Sequence, residues 1–172
     1  MRYIEKHAEP KSLAEYKKQK NAYYDGCNKA DIRRRLLEDQ GYLCAYCMRR
    51  IYDESSVDGG VPPMKIEHWF PESQCLEFQK LDFRNMLGVC MGNAGQPYSC
   101  TTCDSHRKDK MLTINPLDKN LVQQIKYESH TGKIYSENQL LVHSIRQESA
   151  RYLRYQKINQ FAQEKQTVLH QQ

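Results

Sequence analysis

The chain has no apolar run approaching the roughly 20 residues that a membrane-spanning helix requires. Its first residues, MRYIEKHAEPKSLAEYKK, hold no apolar stretch of the kind a secretory leader carries. These two absences set aside membrane and exported classes, and the expectation is a cytoplasmic protein. No internal repeat is present, so solenoids and propellers are excluded as well. The chain also lacks the His-x-Glu followed by Pro-Cys-x-x-Cys of a zinc deaminase: its Glu67 directly precedes His68, and no Pro-Cys occurs. Hydrophobic residues make up 39% and charged residues 27%, which is polar for a globular chain but not poor enough in apolar residues to force disorder.

What is present is 172 residues, the length of one domain or of one domain with helical attachments. Lys and Arg number 26 against 21 Asp and Glu, and the net charge of +5 favours an anionic partner such as nucleic acid without proving one. There are seven cysteines: Cys27, Cys44, Cys47, Cys75, Cys90, Cys100 and Cys103. An odd number in a cytoplasmic chain argues against a disulfide framework. Two C-x-x-C pairs, Cys44/Cys47 and Cys100/Cys103, make metal binding the leading reading. Structural zinc takes four thiolate or imidazole ligands from two short knuckles. Cys44 and Cys47 supply one knuckle; spacing alone leaves the other as Cys90 with Cys103 or Cys100 with Cys103.

The expected fold class is α+β. Residues 1–41 read as an N-terminal helical segment. Ser12 is a candidate cap for SLAEYKKQK, with Glu15 three residues on, and Asp31 for IRRRLLEDQ, which Gly41 ends. Residues 42–52 read as a short hairpin turning at the first C-x-x-C, and DESSVDGGVPP as a loop. MKIEHWF reads as a strand stopped by Pro71, LDFRNML as a short helical or irregular segment, and CDSHRKDKM as the start of a helix. VQQIKYESHTGKIYS resembles a β-hairpin around His130-Thr131-Gly132. Residues 137–166 read as one long polar helix carrying a stripe of Leu141, Ile145, Tyr152, Tyr155 and Ala162. The segments group as 1–41, a core at 42–118, and a docking element expected at 119–172.

Between the knuckles lies K-I-E-H-W-F-P. Successive side chains of a strand point to opposite sides, so Glu67 can face a metal while His68 faces a substrate, or the reverse. The order is Cys44-x-x-Cys47, then Glu67-His68 with Pro71 three residues on, then Asn85, Cys90, and Cys103-Asp104-Ser105-His106-Arg107-Lys108. This order resembles the HNH nuclease signature, a zinc-stabilised ββα-metal fold, over residues 44–109. More narrowly, MRYIEKHAEPKSL, IEHWFP, NMLGVC with its following GN, and CDSHRK leading into NPLD resemble the PtuB family, HNH effectors of Septu and retron-linked antiphage systems.

The resemblance implies a metal-dependent endonuclease that hydrolyses phosphodiester bonds of DNA or tRNA. It implies His68 as general base, Glu67 and His106 as ligands of a catalytic Mg²⁺ or Mn²⁺, and Asn85 as the residue that ties the loop and orients the base. Glu67 is one methylene longer than the Asp found in many members. The third cysteine of such proteins commonly lies a few residues after the Asn. That implies structural zinc on Cys44, Cys47, Cys90 and Cys103, with Cys100 in reserve and MGNAGQPYSCTT as a loop inserted beside the cleft. Lys108 and Arg107 are the candidates for substrate phosphate, and Trp69 for packing beneath the site. Implied partners are the ABC-type ATPase PtuA and, in retron-linked complexes, a reverse transcriptase with its RNA–DNA product. The competing reading is a non-catalytic zinc-knuckle module that binds nucleic acid or protein; it needs the cysteines but not Glu67, His68 and His106.

Overall fold

The computed structural model describes residues 1–52, 64–128, 134–138 and 141. It forms two compact units, 1–122 and 123–172. In the first unit the described elements are α1 (Lys11–Tyr16), α2 (Lys29–Gln40), β1 (Lys65–His68), α3 (Glu77–Lys80), β2 (Met86–Val89), α4 (Cys103–Arg107) and α5 (Lys119–Gln123), the last of which runs one residue past the boundary. Mixed helices and small sheets agree with the α+β expectation.

The two N-terminal helices start earlier than their expected caps. Asn28, not Asp31, caps α2: its Oδ1 accepts from the backbone N–H of Ala30 and Asp31, satisfying donors that a helix start leaves free. Ser12 lies inside α1, which follows Pro10, and its hydroxyl donates to Asp31 Oδ2 at 2.7 Å, linking the helices. Gly41 ends α2 in the left-handed conformation at φ 60°, as its position in the sequence suggests. Ile32, Leu36, Leu37 and Gln40 form the buried stripe of α2.

β1 and β2 are antiparallel, with Glu67 opposite Leu87 and His68 opposite Met86. The short helical segment expected at LDFRNML is there as a 3-10 turn at Phe83–Asn85, capped by Asp82, but the chain then passes directly into β2, which was not expected. All four residues of β2 are buried, so the run shows no period-two alternation to betray it as a strand. Its outer edge is completed by a side chain. Gln40 Oε1 accepts from Gly88 N at 2.6 Å, and Gln40 Nε2 donates to Gly88 O and to Leu43 O, both at 2.7 Å. A Cβ on residue 88 would lie 3.2 Å from Gln40 Nε2 and 2.9 Å from Met64 Cε, so a larger residue there would displace the ends of these two side chains. The chain at 42–52 turns back through an antiparallel bridge between Leu43 and Arg50. Ala45 N donates to Gly88 O at 3.0 Å, fastening that turn to β2. The core of the unit combines Ile4, Leu13, Ile32, Leu36, Ile51, Met86, Leu87 and Val89, each contributing roughly 1.5–3 kcal/mol on burial.

In the second unit β3 (Lys126–Tyr127) pairs antiparallel with β4 (Ile134–Tyr135), the hairpin expected there. Lys126 Nζ and Glu137 Oε1, 2.5 Å apart, tie its ends. The loop expected at DESSVDGGVPP, the hairpin turn at His130-Thr131-Gly132 and nearly all of the expected helix 137–166 lie outside the described residues.

Candidate metal cluster and cleft

The first C-x-x-C lies in the turn of residues 43–50. Cys44 N donates to Arg49 O at 2.8 Å and Met48 N to Cys44 O at 3.0 Å, with Met48 at φ 62°. This tight turn aims both sulfurs the same way. Cys90 follows the last residue of β2, and Cys103 opens α4. The Sγ atoms of Cys44, Cys47, Cys90 and Cys103 all lie within 4.8 Å of one another. Three of the separations are 3.9 Å (Cys44–Cys103), 3.7 Å (Cys47–Cys90) and 3.6 Å (Cys90–Cys103). A disulfide would need about 2.05 Å. Four sulfurs arranged tetrahedrally about 2.3 Å from a zinc ion would be about 3.8 Å apart, and the cluster matches that spacing. All four are free thiols. Hydrogen bonding with Cys103 holds the Cys44 thiol well below its ordinary pKa, and Cys103 is pushed up in turn. A divalent cation would supply the charge needed to ionise all four. Cys100, by contrast, is exposed and outside the group.

Beside the end of β1 is a cleft of about 220 Å³, lined by Ile66, Glu67, His68, Pro71, Glu72, Asp104, Lys108 and Asp109. His68 is only 4% exposed. Its Nε2 lies 2.8 Å from Lys80 O. A carbonyl can only accept, so Nε2 carries the proton and Nδ1 keeps its lone pair. Nδ1 is 3.8 Å from Glu72 Oε2, and Tyr24 packs edge-on against the ring at 4.7 Å. Burial lowers the pKa of His68 below 6.5, which keeps the imidazole neutral at neutral pH.

Asn85 fixes the chain that leaves β1. It accepts from Phe70 N at 2.7 Å, donates to Phe70 O at 3.0 Å, and its own carbonyl accepts from Trp69 N at 2.8 Å. Trp69 packs with its indole N–H on Ile114 O at 3.2 Å. Asn85 therefore holds the loop immediately after His68 and is not among the residues lining the cleft.

Two of the expected site residues stand elsewhere. Arg107, expected at substrate phosphate, is 4% exposed. Its guanidinium donates to Glu67 Oε1, Tyr46 Oη (2.9 Å), His68 O (2.8 Å), Trp69 O (2.5 Å) and Lys110 O (2.8 Å). The group is thus committed to buried protein acceptors instead of pointing into open solvent. The reason is helix phase: Arg107 is four residues after Cys103, so turning that sulfur into the cluster turns Arg107 inward too. His106, expected beside Glu67, is not a cleft residue. Its ring stacks on Tyr98 at 4.3 Å, and its Nδ1 is 3.3 Å from Thr101 Oγ1. Residues two apart on a helix point about 200° apart, so His106 and the cleft-lining Asp104 cannot serve one ligand.

Asp104 is the acid that sequence reasoning passed over. It stands across from Glu67, and Lys65 Nζ lies 3.2 Å from its Oδ2. Burial and then the negative charge of Asp104 raise the Glu67 carboxyl to about 8, against the pull of Arg107. Two carboxyl groups crowded in this way form an oxygen site suited to a hard divalent cation. Lys108 also lines the cleft.

No family model matches the chain. Among curated proteins it is similar to one from Escherichia coli named "Retron Ec83 putative HNH endonuclease". The two are 30% identical over 129 residues, which takes in 64% of this chain and 48% of the relative. The chain thus spans about half the length of that relative.

Proposed function

We propose that the chain is a metal-dependent HNH-type endonuclease in which the four thiols bind structural zinc and the cleft cuts a phosphodiester. The observation that carries this reading is the placement of His68. One ring nitrogen is committed to Lys80 O, the other keeps its lone pair, and Glu67, Asp104 and Lys108 line the same cleft. The neutral imidazole takes a proton from water at Nδ1 as the water oxygen attacks phosphorus and the bond to the leaving oxygen breaks. Glu72 faces Nδ1 and favours the imidazolium that forms. Lys108 supplies positive charge for a phosphate oxygen. Mg²⁺ or Mn²⁺ held by Glu67 and Asp104, in place of the expected pair Glu67 and His106, would neutralise charge developing on the phosphate and leaving group. Asn85 and Arg107 act through the backbone at residues 68–70, holding the base in place.

The name of the relative supports a nuclease in a retron setting. The sequence resemblance extends this reading to the nuclease effector of a PtuA–PtuB, Septu or retron-linked antiphage complex, acting on DNA or tRNA with the ATPase PtuA and, in a retron, the reverse transcriptase and its RNA–DNA product. The test is cleavage of single- and double-stranded DNA and of tRNA by purified protein, with PtuA supplied, in Mg²⁺ or Mn²⁺. Wild type cuts at least one and His68→Ala cuts none. Nucleic-acid binding with no cleavage in any arm would leave the zinc-knuckle module instead.

A further inference from the structure

His106 is excluded from the cleft, yet it is not idle on the surface. Its ring lies parallel to Tyr98, 15° apart in plane with centroids 4.3 Å apart. The pair is held by three polar contacts: Tyr98 Oη donates to His106 O at 3.3 Å, Thr101 Oγ1 donates to Tyr98 O at 2.8 Å, and Thr101 Oγ1 meets His106 Nδ1 at 3.3 Å. The loop that carries Tyr98 is drawn back to α4 at Gly92, whose carbonyl accepts from Thr102 N at 2.9 Å. Gly92 has φ +57°, and a Cβ there would lie 2.2 Å from Thr102 O, so no other residue fits. Tyr98 nonetheless remains 47% exposed, a large aromatic surface held rigid in water. Lys108 links this surface to the cleft: its Nζ is 5.1 Å from the centre of the Tyr98 ring, and the residue also lines the cleft.

A fixed aromatic face beside a cation is the arrangement that single-stranded nucleic acids use, the base stacking on the ring while the cation meets the backbone. We propose that the Tyr98–His106 stack is a nucleobase platform that receives an unpaired nucleotide next to the phosphate bound at Lys108. The proposal rests on the nuclease reading and adds to it that the substrate presents an unstacked base at the cut site, in a single strand, a loop or a frayed end. A base held inside a continuous duplex has both faces covered by its neighbours and cannot use the platform.

The experiment measures binding of short fluorescent oligonucleotides to the full chain in the His68→Ala background, where nothing is cut. Single-stranded DNA, single-stranded RNA and a blunt duplex of the same sequence are compared. The parent binds single strands more tightly than the duplex. Tyr98→Ala weakens single-strand binding roughly 5- to 100-fold, the range of one lost base stack, and leaves duplex binding unchanged. Tyr98→Phe keeps the ring but loses the hydroxyl bond to His106 O, and retains tight binding; Tyr98→Leu keeps bulk without a π face and does not. An abasic residue at one position of the oligonucleotide costs the parent as much as Tyr98→Ala does, and the two losses do not add. Which of the DNA and RNA strands binds more tightly identifies the sugar. Equal loss in Tyr98→Phe and Tyr98→Ala, additive losses, or no single-strand preference in the parent overturns the platform. These outcomes do not touch the nuclease reading, which fails separately if His68→Ala still cleaves.

Discussion

The cysteine cluster and the cleft share the same sheet and the same short helix, yet they are built in opposite ways. Among the described residues the cluster is all sulfur, with Cys44 and Cys90 buried. The cleft offers oxygen and nitrogen, and its polar groups are braced by backbone and side-chain partners that leave one free edge each: Nδ1 of His68 and the face shared by Glu67 and Asp104. A closed sulfur cage can hold a metal and nothing else. An open oxygen site can hold a hydrated metal and still admit a substrate. α4 serves both because its first turn splits by phase. Cys103 and Arg107 face inward, Asp104 and Lys108 face the cleft, and His106 faces neither.

The contrast breaks most severely at the cluster. Cys44→Ala should cost the protein its zinc and its cooperative fold, since a structural zinc site contributes on the order of 10 kcal/mol. Metal content per chain and a thermal melt check this. Cys100→Ala should leave both unchanged, which separates it from Cys90→Ala. At the cleft, His68→Ala should leave the melt intact and lower cleavage roughly a hundred- to ten-thousand-fold. His106→Ala should retain the chemical step, measured by single turnover at saturating enzyme, whereas Asp104→Ala should lose it.

Arg107→Ala joins the two regions. It removes the donor to the buried Glu67 carboxyl and to the carbonyls of His68 and Trp69, and should destabilise by about 1–3 kcal/mol or more in a denaturant titration. Arg107→Lys should not rescue it, because an ammonium cannot reach five acceptors in one plane.

The smallest effect is a control away from both regions. Lys6 Nζ is buried without a hydrogen-bond partner, 3.9 Å above the Phe83 ring, and burial lowers its pKa to about 7 against the opposing pull of Asp39 and Asp82. The unfolded chain holds this proton up to pH 10.5 and the folded chain releases it near 7. Stability therefore rises with pH across that window and is least below it. Lys6→Met should flatten this rise and add on the order of 1 kcal/mol at neutral pH.

The sulfur set was readable because thiol ligands come at short fixed spacings, and because Cys90 stands five residues after Asn85. Spacing alone could not choose between Cys90 and Cys100; the end of β2 does, by delivering Cys90 into the cluster while the loop carries Cys100 outward. β2 itself was hidden: a strand buried on both faces has no alternation, and its glycine reads as a break. On α4 the matching of residue types and the helical angles point to different faces. Once Cys103 is taken to face the metal, a rotation of 100° per residue already sends Arg107 with it and puts Asp104 on a separate face. The five acceptors that occupy Arg107 were beyond reach, since four of them lie on other segments and become neighbours only after folding.

Gln40 carries a consequence for anyone transplanting this unit. Its carboxamide stands in for a neighbouring peptide group at Gly88, so an excised fragment starting at residue 42 would leave Gly88 N on the outer edge of β2 without its acceptor. A minimal version should therefore retain the preceding helix from Asn28 onward, and a graft that omits it would be prone to edge-to-edge self-association.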